Sequence, residues 1–463
     1  MGGLGKDLAG LIGSDKVKTE PEDLLSYTSD ATYYFASHKP DAVLLPQSTE
    51  DVSRVMQYAF AHSLPVTPRG AGSGLSAGCT PIRGGIVLDM KRMRSILELN
   101  RGNMTAKVES GLVLGHFHRA VEKQRLFYPP DPQSLEVCTL GGNVATRAGG
   151  PRGVKYGTTG NYVLGLEAVL PDGTVIHTGG QCVKQSVGYD LTHLLTGSEG
   201  TLAVITKINL RLLPLPAAHC TVIAVCETME QGAKLVSEII ADGTVPARLE
   251  LLQKGGIGLM NMFVANKIPL TGEAFLLMEL DGSEASVSEQ ALPISELCRR
   301  MQVKEVRVVA DAKEAESLWQ ARQNLNPVLM SIFKKMINED VTVPRDKLPE
   351  LYRAVEKIAK NLGLTIGMSG HAGDGNLHPV ILLSELSEEL DKKSLAAIEQ
   401  IIKAGLALGG TISGEHGIGL HKSAFLAWEA GEAQVELFKR VKKAFDPKGI
   451  MNPGKIWPEP GAA

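Results

Sequence analysis

Two histidines flank a glycine-rich turn in Gly370-His371-Ala372-Gly373-Asp374-Gly375-Asn376-Leu377-His378-Pro379, and a Glu-His pair sits between glycines in Gly414-Glu415-His416-Gly417. If Asp374-Gly375 is the two-residue loop of a hairpin, His371 and His378 fall directly opposite each other on one face. Two neutral imidazoles, the Glu415 carboxylate and an open position would suit a borderline divalent transition metal acting as a Lewis acid. One histidine in such a turn more often satisfies a backbone group than a metal. Two in register, with an acidic-imidazole pair downstream, favour the metal.

The other chemical signal is a set of glycine loops. Pro68-Arg69-Gly70-Ala71-Gly72-Ser73-Gly74-Leu75-Ser76-Ala77-Gly78 lies between two apolar runs, where glycines let backbone N–H groups converge on an anion such as a pyrophosphate. No Gly-Lys-Ser/Thr follows, so it is not a Walker loop, and a strand rather than a helix comes next, so it is not a Rossmann fingerprint. Further loops contain Pro130 and Asp131, then Thr139, Gly141, Gly142, Asn143 and Ala145, then Gly149, Tyr156 and Gly157, then Glu199 and Gly200 ahead of an apolar strand with Ile205. A large cofactor touching many loops would explain them together.

The elements that must position these groups fall into two patterns. Residues 42–46, 64–68, 85–89, 105–109, 163–170 and 202–210 read as strands, and Thr49 reads as the cap of a helix with Val52, Val55, Met56 and Ala59 at helical spacing. From Cys220 onward, strands at 221–225, 248–252, 274–280, 303–309 and 364–368 alternate irregularly with helices at 228–242, 283–300 and 348–362. This suggests a separate sheet covered on one face by helices. A helix at 432–444 precedes a turn-rich tail containing Asn452-Pro453-Gly454-Lys455.

At 463 residues and a net charge of −3, the chain is long enough for two or three domains and has no electrostatic footprint for nucleic acid or an anionic membrane. Its six cysteines form no C-x-x-C pair, so neither a zinc knuckle nor a cysteine-ligated iron–sulfur cluster is readable. No secretory signal, myristoylation motif or membrane-spanning run is apparent, and a reduced, cytoplasmic setting is expected.

The ordered motifs P-R-G-x-G-x-G-L-S-x-G, P-D-P, T-x-G-G-N-x-A, G-x-x-Y-G, L-x-G-S-E-G-T-L-x-x-I-T and N-P-G-K resemble the FAD-linked 2-hydroxyacid dehydrogenases, the group of D-lactate dehydrogenases and the FAD subunit of glycolate oxidase. The likeness runs from about Lys39 to Lys455. It implies an α+β architecture of vanillyl-alcohol-oxidase type: an FAD-binding domain at 1–216, a cap domain with the metal site at 217–420, and a segment at 421–463 returning to the first domain. By this resemblance Arg69 to Ser76 and Thr139 to Ala145 would wrap the FAD pyrophosphate, residues 199–205 would approach the adenosine, and Asn452 would reach the flavin. The first glycine loop has no histidine for covalent attachment, so the FAD is expected to be dissociable.

The resemblance also places His371, His378 and Glu415 over the flavin as ligands of zinc, manganese or iron, with His416 taking the hydroxyl proton and Arg322 holding the substrate carboxylate. No second cationic clamp is evident near Ile337-Asn338-Glu339-Asp340, although Lys334 and Lys335 are close in sequence, which favours a small monocarboxylate such as D-lactate or glycolate. The electron outlet is expected to be a protein, either an electron-transfer flavoprotein or an iron–sulfur subunit. A flavin subunit that merely relays electrons is the alternative, disfavoured by the intact set of five polar residues.

Overall fold

The computed structural model describes residues 3–32 and 38–458, and the chain divides into two compact units. The first comprises Met1–Ala148, Thr158–Leu215 and Glu415–Ala463; the second comprises Gly149–Gly157 and Pro216–Gly414.

The first unit contains a four-stranded sheet of Val17–Lys18 (β1), Ala42–Leu44 (β2), Val66–Arg69 (β3) and Ile86–Asp89 (β4) in the order β1-β2-β4-β3. β2, β4 and β3 run parallel, which requires a crossover between β2 and β3. The helix Thr49–His62 supplies it and buries Val52, Val55, Met56 and Ala59. Its cap is Ser48 rather than the expected Thr49: the Ser48 hydroxyl accepts from the Asp51 N–H, and Thr49 already lies in the first turn.

A second, antiparallel sheet is built from Ile96–Asn100 (β5), Thr105–Glu109 (β6), Val163–Val169 (β7), Val175–Gly179 (β8) and Val204–Arg211 (β9), ordered β5-β6-β9-β7-β8. The inner three were expected from their apolar runs. β5 and β8 were not, because these edge strands bury few of their side chains and show no clear alternation.

The cap unit is organised around Ala218–Cys226 (β10), Arg248–Gln253 (β11), Ala274–Gly282 (β12), Glu305–Val309 (β13), Lys335–Asn338 (β14), Val341–Thr342 (β15), Thr365–Gly370 (β16) and Asn376–Leu383 (β17). The order is β13-β10-β12-β11-β16-β17-β14, with β15 also pairing to β17. Helices Met229–Ala241, Glu284–Arg300 and Leu348–Leu362 were expected and are present. The sheet is not covered on one face only. Ile223, Val225, Leu252, Phe275 and Leu277 pack with Leu318, Trp319 and Leu325 from two further helices, Ala312–Gln323 and Leu325–Ile332. Successive apolar residues in β12 leave neither of its faces suited to water, so both require cover.

One polar group locks the first unit. Glu167, on β7, accepts hydrogen bonds from Thr49, from Thr206 at 3.0 Å and from Lys207 at 3.1 Å. Burial pushes its carboxyl up, but these donors outweigh burial and hold it at about 2. Since the folded-state value is depressed, the carboxylate stabilises the fold above its ordinary value near 4.5, and that contribution disappears as pH falls toward 2. Glu167→Gln is expected to flatten the loss of stability across this acid window, measured as urea midpoints at a series of pH values. An acid limb identical to that of the parent would contradict the assignment.

Candidate functional site

His371 and His378 lie on the β16–β17 hairpin, but not in the expected register. Ser369 pairs with His378, and the Asn376 N–H donates to the His371 carbonyl at 3.2 Å. The loop is therefore residues 372–375, not Asp374-Gly375 alone. Ala372–Asp374 forms a 3-10 turn and only Gly375 takes a positive φ, 83°, whereas the tight turn assumed from the sequence requires positive φ at both central residues. A Cβ on Gly375 would meet the Val343 carbonyl at 2.0 Å, so the position also demands glycine for space. The shift moves the pairing by two residues, which preserves the face. The histidines become diagonal neighbours with ring centroids 5.0 Å apart.

β11 lies beside this hairpin, with Leu251 opposite Gly370 and Leu252 opposite Ser369. This register brings Glu250 to His371, and the Glu250 carboxylate meets His371 Nδ1 at 2.5 Å. The other carboxylate oxygen receives Arg322 Nε at 2.8 Å and Nη2 at 2.7 Å from the helix Ala312–Gln323. Glu250 is fully buried, which pushes its carboxyl up; His371 and Arg322 reverse this and bring it to about 2. The sequence reading missed Glu250. The available signal was an acidic residue centred in the strand Arg-Leu-Glu-Leu-Leu-Gln, since a carboxylate is rarely buried without a partner.

Asp340, also fully buried, accepts from Asn376 at 2.8 Å and from the Ser413 hydroxyl at 3.0 Å, and lies 4.0 Å from His378 Nδ1. A Cβ on Gly414 would collide with Asn376, Thr342 and Asp340, so the backbone just before Glu415 is closely confined. One peptide further on, Glu415 opens the closing segment of the first unit. His416 Nε2 is 3.9 Å from the Glu415 carboxylate.

In the first unit several expected cofactor residues converge. The loop after β3 includes Gly72 at φ 71°, and a Cβ on Gly70 would come within 2.3 Å of Thr139 Oγ1. Thr139 to Ala145 is not an open loop: Leu140–Thr146 is a short helix capped by the Thr139 hydroxyl, which accepts from the Gly142 N–H. The Ala145 carbonyl accepts from the Glu199 N–H. Glu199 is itself buried, and its two oxygens accept from Ile418 N–H at 2.8 Å and Gly419 N–H at 2.7 Å. Burial raises its carboxyl despite these two donors. The Asn452 amide donates to the Gly78 and Glu199 carbonyls, both at 2.8 Å.

The remaining expected residues make contacts of their own. The Arg69 guanidinium donates to the Ser29 and Ser26 carbonyls, and the Tyr156 hydroxyl donates to Asp281 at 2.6 Å. Gly149, Tyr156 and Gly157 belong to the cap unit, while Asp131 is buried in the first.

Residues 215–456 match the family described as FAD linked oxidases, C-terminal domain, and residues 40–179 match the FAD binding domain. The chain is 39% identical over 433 residues to the glycolate oxidase subunit GlcD of Bacillus subtilis, covering 94% of this chain and 92% of that one. It is 38% identical over 417 residues to a D-lactate dehydrogenase of Archaeoglobus fulgidus, covering 89% and 90%. The chain belongs to the FAD-linked oxidases. A structure of p-cresol methylhydroxylase with substrate bound matches with a TM-score of 0.81 at 17% identity, covering 98% of this chain and 96% of that one, a likeness of fold. The expected vanillyl-alcohol-oxidase type of architecture is therefore the one observed, and the family's FAD-binding domain makes FAD the cofactor. Two buried atoms in the first unit, Asn452 Oδ1 and Ser110 Oγ, find no partner among the described residues and retain hydrogen-bonding capacity suited to such a group. Among the described residues, no helix is long and apolar enough to cross a membrane.

For this FAD-linked oxidase, Glu199 orders the turn that begins at His416. Glu199→Ala leaves two backbone N–H groups without their acceptor, at a cost of roughly 1–3 kcal/mol for each that stays buried. A fall in the urea midpoint together with reduced turnover is expected; unchanged values for both would remove this role.

Proposed function

We propose that this enzyme oxidises a small 2-hydroxy acid, with D-lactate to pyruvate as the favoured reaction, and passes the electrons to a protein acceptor. The observation that carries the reading is the pairing of His371 and His378 within the cap unit, ring centroids 5.0 Å apart, with Arg322 held by the carboxylate that also contacts His371; the sequence offers Glu415 as the acidic ligand. Two imidazoles and a carboxylate are a donor set for zinc, manganese or iron. When bound, FAD accepts the hydride leaving Cα, and a divalent metal lowers the pKa of the neighbouring hydroxyl. His416 takes the hydroxyl proton. Arg322 receives the substrate carboxylate on the guanidinium edge that Glu250 does not occupy.

A single carboxylate on the substrate is supported by Lys335, one of the two lysines close in sequence that could have supplied a second cationic clamp, whose amine is paired with Asp391 at 2.6 Å. The relatives point to two small substrates, since one is named a glycolate oxidase subunit and another a D-lactate dehydrogenase. Glycolate oxidation with electrons passed to an iron–sulfur subunit is accordingly the second reading.

The FAD is held without a covalent bond, because residues 68–78 contain no histidine. Acid precipitation should release the flavin to the supernatant; flavin retained in the pellet would refute this. His378→Ala is expected to abolish D-lactate oxidation while FAD stays bound, with metal content measured beside activity. Near-normal turnover in a metal-free variant would eliminate the metal from the reaction.

The six cysteines form no cluster motif, and the sequence has no nicotinamide fingerprint, which supports an external protein such as an electron-transfer flavoprotein as the outlet. Stopped-flow measurements should show fast flavin reduction by D-lactate and slow reoxidation by oxygen or NAD until the partner is added. Rapid unaided turnover with oxygen would instead identify a self-sufficient oxidase.

A further inference from the structure

Glu250 has no role in the reaction proposed above, yet it sits in the centre of a cap strand where a carboxylate is costly. Arg248 and Leu252 flank it on the same face of β11, and Leu252 belongs to the apolar cluster with Phe275, Leu277, Leu318 and Trp319. An unpaired carboxylate there would have to give up its charge. Instead, one oxygen contacts His371 Nδ1 and the other contacts Nε and Nη2 of Arg322.

The two contacts have separate chemical consequences. A carboxylate at Nδ1 favours the tautomer with its proton on that nitrogen, which leaves the Nε2 lone pair as the donor His371 can offer to a metal. On the other side, engagement of Nε and Nη2 fixes the plane of the guanidinium and commits one of its edges, so Nη1 lies on the edge available to a carboxylate ligand. The connection spans three separate elements: Glu250 lies 121 residues from His371 and 72 from Arg322.

We propose that Glu250 is the positioning residue for both halves of the site, setting the metal-donor nitrogen of His371 and the substrate-binding edge of Arg322 through one side chain. The inference rests on the proposed 2-hydroxy acid oxidation. It predicts a coupling that a purely structural ion cluster lacks: one substitution at a strand position changes metal affinity and substrate affinity together.

The test uses the full FAD-loaded chain with zinc as the metal probe and D-lactate as the substrate. Glu250→Gln should retain flavin but lower zinc affinity by roughly 10–100-fold, as loss of a metal ligand's outer partner typically does, and raise KM for D-lactate. Glu250→Asp, which keeps the charge, should recover part of both relative to the glutamine variant. A flavin-loaded Glu250→Gln protein with unchanged zinc affinity and unchanged KM overturns the proposal, as does a change in only one of them.

Because removing a buried charge can prevent folding, a second measurement uses the metal-free parent protein. With 15N-labelled histidine, a hydrogen-bonded Nδ1–H resonance should be present and should vanish in His371→Ala. Its absence from the parent overturns the tautomer assignment without any Glu250 variant. If the parent binds no zinc or does not oxidise the acid, the functional reading itself fails and this inference falls with it; if the parent does both and Glu250→Gln is indifferent, only the inference fails.

Discussion

Charge buried in the cap strand Arg248–Gln253 is the constraint around which the site is built. A carboxylate removed from water in an apolar layer costs several kcal/mol unless donors replace the lost solvation. Glu250 obtains them from an imidazole and a guanidinium carried by different elements, and those are the groups to which the chemistry is assigned. The helix Ala312–Gln323 can approach the sheet there because Leu318, Trp319 and Ala321 fill the apolar layer while Arg322 satisfies the charge. Packing and site geometry are thus set by the same contact. Displacing the helix would expose its apolar residues and leave the carboxylate underpaired.

The FAD-binding unit solves a related problem with backbone donors. Glu199 is buried and has φ 52°, a left-handed backbone uncommon outside glycine. Its two oxygens are consumed by the N–H groups of Ile418 and Gly419, while its own carbonyl is held by Asn452. Gly417 at φ 80° and Gly419 at φ 50° permit the turn to present those N–H groups, and a Cβ on Gly417 would sit about 3.1 Å from the Glu199 carboxylate. Glycines in the Glu-His motif therefore serve the approach of a carboxylate as well as the bend of the chain.

Family and fold class were legible because they depend on local motifs, and the shared face of the two histidines because it depends only on the parity of a hairpin. His371 and His378 share a face in both the expected and the observed registers, so the error in loop length did not separate them. Glu250 was hidden for the opposite reason: its meaning depends on partners far away in sequence. The short helix Leu140–Thr146 was read as a loop because consecutive glycines mask its Thr139 cap. The helix Glu388–Ala407 was not read at all, although Ser387 caps it and Ile398, Ile401 and Ile402 face inward. Its run of charged residues in the first turns dilutes the apolar spacing that marks a helix.

The division of the first unit into three stretches of sequence constrains how the protein is made. Glu199 is separated by 219 residues from the Ile418 N–H that it accepts, and the Asn452 amide reaches 374 residues back to the Gly78 carbonyl. Cap residues 216–414 intervene. During synthesis from the N-terminus, the cap can therefore collect all of its strands before the first unit receives its closing segment. In that interval Glu199 lacks its final donors, and the first glycine loop lacks its tether to Asn452. Completion of the flavin-binding unit is a late event in the life of the nascent chain, placed there by the order of the sequence itself.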